Sequence, residues 1–500
     1  MFVRTIRGAF APHFAAFAAL ALAFGCSPAA AQIAPATGTP PDPFTVENLI
    51  GDAVSLSNQA YPDVEQAIKR FKNSDVAGAQ EYLEQAKKQY PKLPPVELSM
   101  AKLHIFNRNG QDGRVMLEAT VTNHPEDPEA YLLLADLAFT EGRTTEAGAL
   151  FDFAAGLTEK FADNEKRKKN FQIRVLAGRA AVFERRAKWQ DANALLTQWV
   201  ALDPESAAAH TRLGMTLFHL KKQPEALAEF TKARELRPDS AHPEIMLGQL
   251  YTQAGDVAKA REAFAKAYAA DQKNEGTARA YAEWLIQQND LEKAQEVAEG
   301  MRKESPDSIG ALMLDGVVAK MRKQPKEAEE ALKRVMELDP SNAGATNLLA
   351  LILSESSNVG EQETALRHAQ VNAERFQNNS QANVTLAWVL FKLGRVNEAN
   401  AALQRGAQAG NLNADSAYLI AKILVDQKQP DQAKKALEQV LKQAGVGMFM
   451  YRKDAEALLK ELGGEIPAPQ AVPGAPASTT GAPNLGTAPP QTPETTPAPK

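Results

Sequence analysis

Residue types that carry enzyme chemistry are sparse and scattered in this sequence of 500 residues. Its seven histidines form no His-Glu-x-x-His motif, and His210 and His219, which share a predicted helix, do not lie next to each other on one helix face. The sequence also has no glycine-rich phosphate loop and no Gly-x-Ser-x-Gly elbow. We therefore expect a non-catalytic protein without catalytic residues, cofactor or metal ion.

The overall composition suits stacked helices. Hydrophobic residues make up 44% of the chain and aromatic residues only 7%, which is more typical of Ala- and Leu-rich helices than of a β-sandwich. The formal net charge is -5, whereas a general nucleic-acid binder needs a basic face. We therefore expect no nucleic-acid partner.

The first 31 residues have the pattern of a secretory signal peptide. Arg4 and Arg7 precede an apolar run at 14–24, and small residues follow at 25–31. The run is shorter than the ~20 residues needed to span a bilayer, and cleavage after Ala31 fits the small-residue rule. We expect an exported protein that is periplasmic or associated with the outer membrane of a Gram-negative-type bacterium.

Cys26, the single cysteine, allows a second interpretation of this segment. The run from Leu22 to Cys26 resembles a bacterial lipoprotein box, in which the cysteine is lipidated and anchors the protein to a membrane. It departs from the usual pattern at Ala23 and Phe24. Cleavage and lipidation at Cys26 remain alternatives, and under either one the rest of the chain contains no cysteine for a disulfide.

Proline-rich segments flank the central part of the chain. Residues 32–59 are predicted to be a linker that includes the start of the first helix, and residues 464–500 a disordered tail rich in Pro, Ala and Thr. Such compositions bury too little apolar surface to offset the entropy of ordering.

Small residues recur at two positions of a 34-residue period between these segments. We number each repeat so that the first of them is position 8 and the second is position 20. Position 8 is Ala67, Ala101, Ala135, Ala180, Gly214, Gly248, Ala282, Gly316, Ala350, Ala387 and Ala421. Position 20 is Ala79, Gly113, Ala147, Ala192, Ala226, Ala260, Ala294, Ala328, Ala365, Ala399 and Ala433. Insertions of eleven and three residues interrupt the period near residues 161–171 and 356–361.

The periodicity predicts two helices per repeat, which cross at positions 8 and 20. A larger side chain there would separate the helix axes beyond the ~8–10 Å of close packing. Prolines at position 32, such as Pro204 and Pro340, are predicted to end the second helix. Gly142 and Gly255 mark turns between paired helices.

The repeat resembles the tetratricopeptide repeat. One near-consensus copy contains Leu213, Gly214, Leu217, Ala226, Phe230, Ala233 and Pro238. The resemblance covers residues 60–447, and residues 448–463 are predicted to form a cap helix. It implies an all-α fold, a right-handed α-solenoid of about eleven helix-turn-helix repeats. The predicted segments account for the whole sequence, so no stretch of ~100 residues is left for a catalytic domain.

The resemblance also implies a concave groove lined by the first helix of each repeat, where a partner peptide or helix binds. The candidate groove residues in this sequence are Leu132, Asp136, Phe139, Met215, Phe218, Arg279, Glu283, Val384, Trp388, Phe391, Tyr418 and Lys422. The basic insertion at 166–169 has two interpretations: a docking site for an acidic partner, or a solvated turn between longer helices, which we favour.

We therefore expect a protein–protein interaction scaffold of the cell envelope that binds one or more proteins and contacts a membrane only through an anchor at Cys26. One alternative is a membrane-anchored repeat lipoprotein in envelope assembly or polysaccharide export. Another is a carbohydrate-binding or enzyme-accessory subunit that uses Trp388.

Overall fold

The computed structural model describes residues 42–51, 53–54, 59–410, 412–443 and 448–466. The predicted signal peptide with Cys26, the first part of the linker and nearly all of the predicted tail lie outside these residues. The chain divides into two compact units at residues 240 and 241. We call the described residues 42–240 the N-terminal unit and the described residues 241–466 the C-terminal unit.

The N-terminal unit contains eleven helices within its described residues. They are α1 (Val46–Ile50), α2 (Pro62–Lys72), α3 (Val76–Gln89), α4 (Val96–Phe106), α5 (Gly110–Asn123), α6 (Pro128–Thr140), α7 (Thr144–Lys160), α8 (Glu165–Arg185), α9 (Trp189–Leu202), α10 (Ala207–His219) and α11 (Gln223–Leu236). From α2 onwards they form five consecutive pairs, in which the second helix packs against the first.

The C-terminal unit continues the same pattern through six pairs and one further helix within its described residues. Its helices are α12 (Pro243–Gln253), α13 (Val257–Ala270), α14 (Glu275–Gln287), α15 (Leu291–Glu304), α16 (Ile309–Met321), α17 (Pro325–Leu338), α18 (Ala343–Ser354), α19 (Val359–Arg375), α20 (Ser380–Lys392), α21 (Val396–Gln408), α22 (Ala414–Asp426), α23 (Pro430–Gln443) and α24 (Arg452–Glu461). The prediction of an α-solenoid built from eleven helix pairs is confirmed.

The turns within the pairs share one backbone conformation. In ten of the eleven pairs position 15 has a positive φ, as at Lys221 (65°), Gly255 (75°) and Lys323 (61°). The left-handed residue lets the chain close the end of the helix: Lys222 N–H donates to the Leu217 carbonyl at 2.9 Å. Six second helices end two residues before a proline, as predicted from Pro204 and Pro340.

The paired helices pack most closely at positions 8 and 20, and all twenty-two of these residues are buried. A Cβ atom added to Gly214 would lie 2.6 Å from Phe230 Cε1 and 3.1 Å from the Ala226 carbonyl oxygen. Gly248 faces Phe264 in the same way, at 2.7 Å. The small residues are therefore required by the distance between the helices, as the sequence predicts.

The eleven-residue insertion lengthens two helices. α7 has 17 residues and α8 has 21, and only residues 161–164 separate them. The predicted longer helices are confirmed, but the prediction of a solvated turn at 166–169 is wrong: this run lies at the start of α8, and Arg167 within it is buried.

The end of the predicted linker is packed against the repeats. Residues 46–50 form α1, and Leu49 and Ile50 are fully buried beside α2 and α4. At the other end of the described chain, α24 lies within the predicted cap range and buries Ala455 and Leu459. Apolar side chains therefore cover the outermost helix pair in each case.

Candidate partner-binding faces

In the C-terminal unit the first helices of successive pairs form one face. In the series α12, α14, α16, α18, α20 and α22, each helix contacts the one that follows it. We call the surface made by the first helices of a unit its first-helix face. It is the surface on which the sequence places the candidate groove residues.

Trp388 and Phe391 form an aromatic pair on α20. Their ring centroids are 5.8 Å apart, and both side chains are half-buried. The indole N–H of Trp388 has no acceptor among the described residues. Val384, one turn earlier, is fully buried, so it is a core residue and not part of an accessible groove. Because the indole nitrogen itself is covered, the pair offers an apolar surface.

Arg279 and Glu283 supply the polar part of this face on α14. Arg279 Nε lies 3.9 Å from Glu283 Oε1, and both side chains are half-buried. Burial raises the pKa of Glu283, and the guanidinium of Arg279 partly opposes this increase. A loosely paired, half-buried carboxylate can exchange its partner for a cation or an amide of a bound protein.

The chain itself covers the end of this face. Tyr418 on α22 stacks on Tyr451, with ring centroids 4.9 Å apart, and burial raises the pKa of Tyr418 to about 12. The Tyr451 N–H donates to Asp415 Oδ1 at 3.2 Å, and Lys320 Nζ on α16 lies 5.1 Å from the Tyr451 ring. Of the two residues predicted here, Tyr418 is therefore partly covered, whereas Lys422 is exposed.

In the N-terminal unit the predicted groove residues separate into two groups. Leu132 and Phe218 are 0% and 4% exposed, so they belong to the core and offer no surface to a partner. Asp136 pairs with Arg174 on α8 at 2.8 Å, and the Arg185 guanidinium lies 4.0 Å from the centre of the Phe139 ring.

Met215 on α10 is half-buried. Periodicity alone does not show whether Met215 or its neighbour Phe218 is accessible to a partner, because accessibility depends on how deeply the adjoining helices cover each residue.

Four buried charges lie at the junction of α4, α6 and α8. Arg167 Nη2 contacts Asp127 Oδ2 at 2.8 Å and Glu129 Oε2 at 2.7 Å, and Lys102 also pairs with Glu129. Although burial opposes ionisation, Lys102 and Arg167 hold the pKa of Glu129 well below its usual range. Two cations and two carboxylates thus neutralise each other out of contact with water.

The same junction holds the main chain of the N-terminal segment. Lys102 Nζ donates to the Leu49 carbonyl at 3.2 Å, Lys166 Nζ to the Gly51 carbonyl at 2.8 Å and Asn164 Nδ2 to the Ala53 carbonyl at 2.9 Å. Leu49 lies in α1, and Gly51 and Ala53 follow the C-terminal end of that helix. The first-helix side of the N-terminal unit therefore contacts a peptide segment of its own chain.

Sequence reasoning missed both features at this junction. Arg167 stands in a run of lysines, and its carboxylate partners lie about forty residues earlier. Val46, Leu49 and Ile50 show the i, i+3, i+4 spacing of an apolar helix face, which was the available signal in an otherwise Pro-rich segment.

Two absences apply to the described part of the chain. Its His, Cys, Asp and Glu side chains include no group of three placed to hold a metal ion. Its helices include none that is long and apolar enough to cross a membrane.

The helix pairs define a helical-repeat protein with two first-helix faces, one in each unit. Models of the tetratricopeptide repeat match residues 98–160, 205–273 and 251–314. A model of anaphase-promoting complex, cyclosome, subunit 3 matches residues 358–440. The chain is a tetratricopeptide-repeat protein, a class of scaffold that binds other proteins. No curated protein sequence matches it.

The chain is also similar to several solved structures at low sequence identity. A tetratricopeptide repeat protein from Parabacteroides merdae is 16% identical, with coverage of 51% of this chain and 98% of that chain and a TM-score of 0.39. Yeast Tom70 is 14% identical, with coverage of 80% and 95% and a TM-score of 0.37. YrrB, described as having an unusual peptide-binding site, is 15% identical, with coverage of 46% and 95% and a TM-score of 0.23. Since these TM-scores are below 0.5, the assignment rests on the repeat models and the helix pairs.

Proposed function

We propose that this protein is an exported, non-catalytic scaffold that holds partner proteins in the cell envelope. A peptide segment or helix of the partner binds on the first-helix face of the C-terminal unit, with Trp388 and Phe391 as its main anchor. The partner's identity sets the process in which the scaffold takes part.

The Trp388–Phe391 pair carries this proposal. Half-buried aromatic side chains give a large apolar contact area at small conformational cost, and such residues dominate binding energy in protein interfaces. The indole nitrogen of Trp388 is itself covered, so the accessible part of the pair is apolar and favours a partner segment with an apolar side chain.

Affinity capture from native envelope extract tests the binding face. The Trp388→Ala/Phe391→Ala variant is compared with the wild type and with a Val371→Ala control, because Val371 on α19 is 61% exposed and lies on a second helix. Loss of the anchor should weaken binding of a specific partner by about 30-fold or more, corresponding to the ~2 kcal/mol of an interface hot spot. A partner that binds the Trp388→Ala/Phe391→Ala variant as well as it binds the Val371→Ala control would show that the aromatic pair is not part of the binding site.

The location of the protein has its own test. Mass spectrometry of the mature chain should find a free N-terminus at Gln32 if the signal peptide is cleaved after Ala31. An acylated Cys26 would instead indicate a membrane-anchored lipoprotein with the same binding face. An intact Met1 in protein purified from its native source would contradict export by either route.

A further inference from the structure

The described residues of the segment 42–54, which we call the arm, have a defined local structure. Thr45 caps α1 by accepting a hydrogen bond from Asn48 N–H at 3.1 Å, and the Asn48 side chain donates to the Pro43 carbonyl at 3.0 Å. The five residues of α1 are too few to hold a helix by themselves. The conformation of the arm therefore depends on the surface beneath it.

The arm contributes side chains to an apolar cluster of the first two helix pairs. Leu49 and Ile50 are 0% and 1% exposed in a cluster that includes Phe71 and Leu103. The Phe44 ring lies 6.2 Å from the Phe71 ring. Leu49 and Ile50 therefore provide the most deeply buried apolar contacts of the arm, and Phe44, Val46 and Val54 pack beside the same cluster.

The polar contacts from α4 and the start of α8 involve the backbone of the arm. As described above, Lys102, Lys166 and Asn164 donate to the carbonyls of residues 49, 51 and 53. A carbonyl is present in every peptide, so these three donors recognise the main chain at the end of a short helix, whatever its side chains. Selectivity then rests on the pocket for the aliphatic pair.

Two of the donors are held in place by other interactions. Lys102 is 5% exposed and pairs with Glu129, which Arg167 also contacts. Asn164 is the N-cap of α8 and accepts from Arg167 N–H at 3.0 Å. Placing four charges out of water costs more than an apolar core of the same volume. Helix packing alone does not need such an arrangement. Its function is to hold preorganised hydrogen-bond donors against a peptide backbone.

We propose that this surface of the N-terminal unit is a second peptide-binding site, that the arm is its resting occupant, and that it accepts a competing peptide of the same chemistry. The competing peptide carries two adjacent aliphatic residues at the end of a helical turn, with free carbonyls at that end and just beyond it. The proposal rests on the proposed function as a scaffold for proteins, but it concerns a different unit from the Trp388–Phe391 site.

A tethered arm competes strongly with any free peptide. A segment joined to its site by a short connection acts at an effective concentration in the millimolar range. Free peptide therefore binds only to chains whose arm is released. Its apparent affinity is the intrinsic affinity multiplied by the fraction of such chains. A partner segment must therefore bind this surface strongly enough to displace the tethered arm.

Peptide binding to full-length chains tests the proposal. The probe is a fluorescent peptide with the sequence of residues 42–54, and its anisotropy is measured with the wild type and with a Leu49→Asp/Ile50→Asp chain, whose arm no longer fits the apolar cluster. The variant should bind the probe at least tenfold more tightly than the wild type, and a probe carrying the same two aspartates should not bind. A variant with a wild-type circular dichroism spectrum and no binding would overturn the proposal.

A milder variant and hydrogen exchange cover the case in which the double variant does not fold. The Lys166 side chain is exposed and donates one hydrogen bond to the arm, so Lys166→Ala should increase exchange at the amides of residues 46–50 by about fivefold. Lys169→Ala removes a neighbouring exposed charge and should leave this exchange unchanged.

Excess unlabelled arm peptide added to the wild type should increase exchange at the same amides further. The amides of the arm could instead exchange as slowly as those of α2 and α4, both with and without peptide. That result would show that the arm is a permanent part of the fold. Failure of this test leaves the Trp388–Phe391 capture experiment unaffected, so the two proposals can fail separately.

Discussion

Replacing Ala226 by leucine should force apart α10 and α11 where they pack most closely. Ala226 is fully buried, and its carbonyl oxygen would lie only 3.1 Å from a Cβ atom on Gly214. Leucine adds three carbon atoms at a contact where the opposing helix has no side chain to move aside. The new atoms must therefore take an unfavourable rotamer or separate the helices.

The expected cost follows from this geometry. Overpacking of a close-packed core costs about 1–3 kcal/mol, whereas alanine and leucine differ little in helix propensity. For a unit of roughly 200 residues, such a loss corresponds to about 2–12 °C in the thermal midpoint. Because each repeat contacts only its neighbours, the destabilisation should be greatest in the α10–α11 pair.

Thermal and urea unfolding followed by circular dichroism measure this cost. Ala228→Leu is the matched control, because Ala228 is on the same helix and is exposed. Hydrogen exchange in α10 and α11 then shows whether the loss is local. Equal midpoints for the Ala226 and Ala228 variants would mean that position 20 is not a close crossing, and the packing argument would be refuted.

Three further predictions concern charges and the tail. Arg167→Gln leaves two buried carboxylates without this cation, so the free energy of unfolding in urea should fall by about 3–5 kcal/mol, whereas Arg174→Gln opens a half-exposed pair and should cost less than about 1 kcal/mol. Equal losses would show that the cluster is solvated.

Burial raises the pKa of Asp415 from 3.8 to about 7, so the fold favours the protonated carboxyl. Its stabilising contribution is complete below about pH 4 and is lost as the pH rises through 7. Asp415→Asn should remove that part of the decline in the thermal midpoint, and an unchanged pH profile would contradict the assignment. Truncation after Gly463 should leave the midpoint unchanged, since the Pro-rich tail buries little apolar surface; a clear decrease would mean that the tail docks on the repeats.

The repeat architecture could be predicted because its determinants are local. Small residues at positions 8 and 20 and a turn at position 15 recur at fixed spacing, and each specifies a contact inside one helix pair. The order of the helices and the places where they end follow from these signals and from the prolines at position 32. The position of Ala226 at a crossing is one such prediction.

The accessible part of the candidate site could not be predicted in the same way. Position in the repeat places Leu132, Phe218 and Val384 on the first helices, but neighbouring helices bury all three. Phe391, which has the same position in its repeat as Phe218, remains half-buried, and so does Trp388. Spacing gives the side of a helix on which a residue lies, whereas its exposure depends on the size of residues in adjacent repeats.

The sequence by itself determined that this protein is an all-helical repeat array, because helix periodicity, small crossing residues and turn residues act over a few dozen residues. Only the tertiary structure decided that Arg167 is buried against carboxylates about forty residues earlier, and that Leu49 and Ile50 of the arm fill an apolar cluster. The physical reason is that burial and ion pairing depend on what the rest of the chain places beside a residue. A local pattern of residue types therefore specifies the helices, and long-range packing decides which of their side chains remain free to bind a partner.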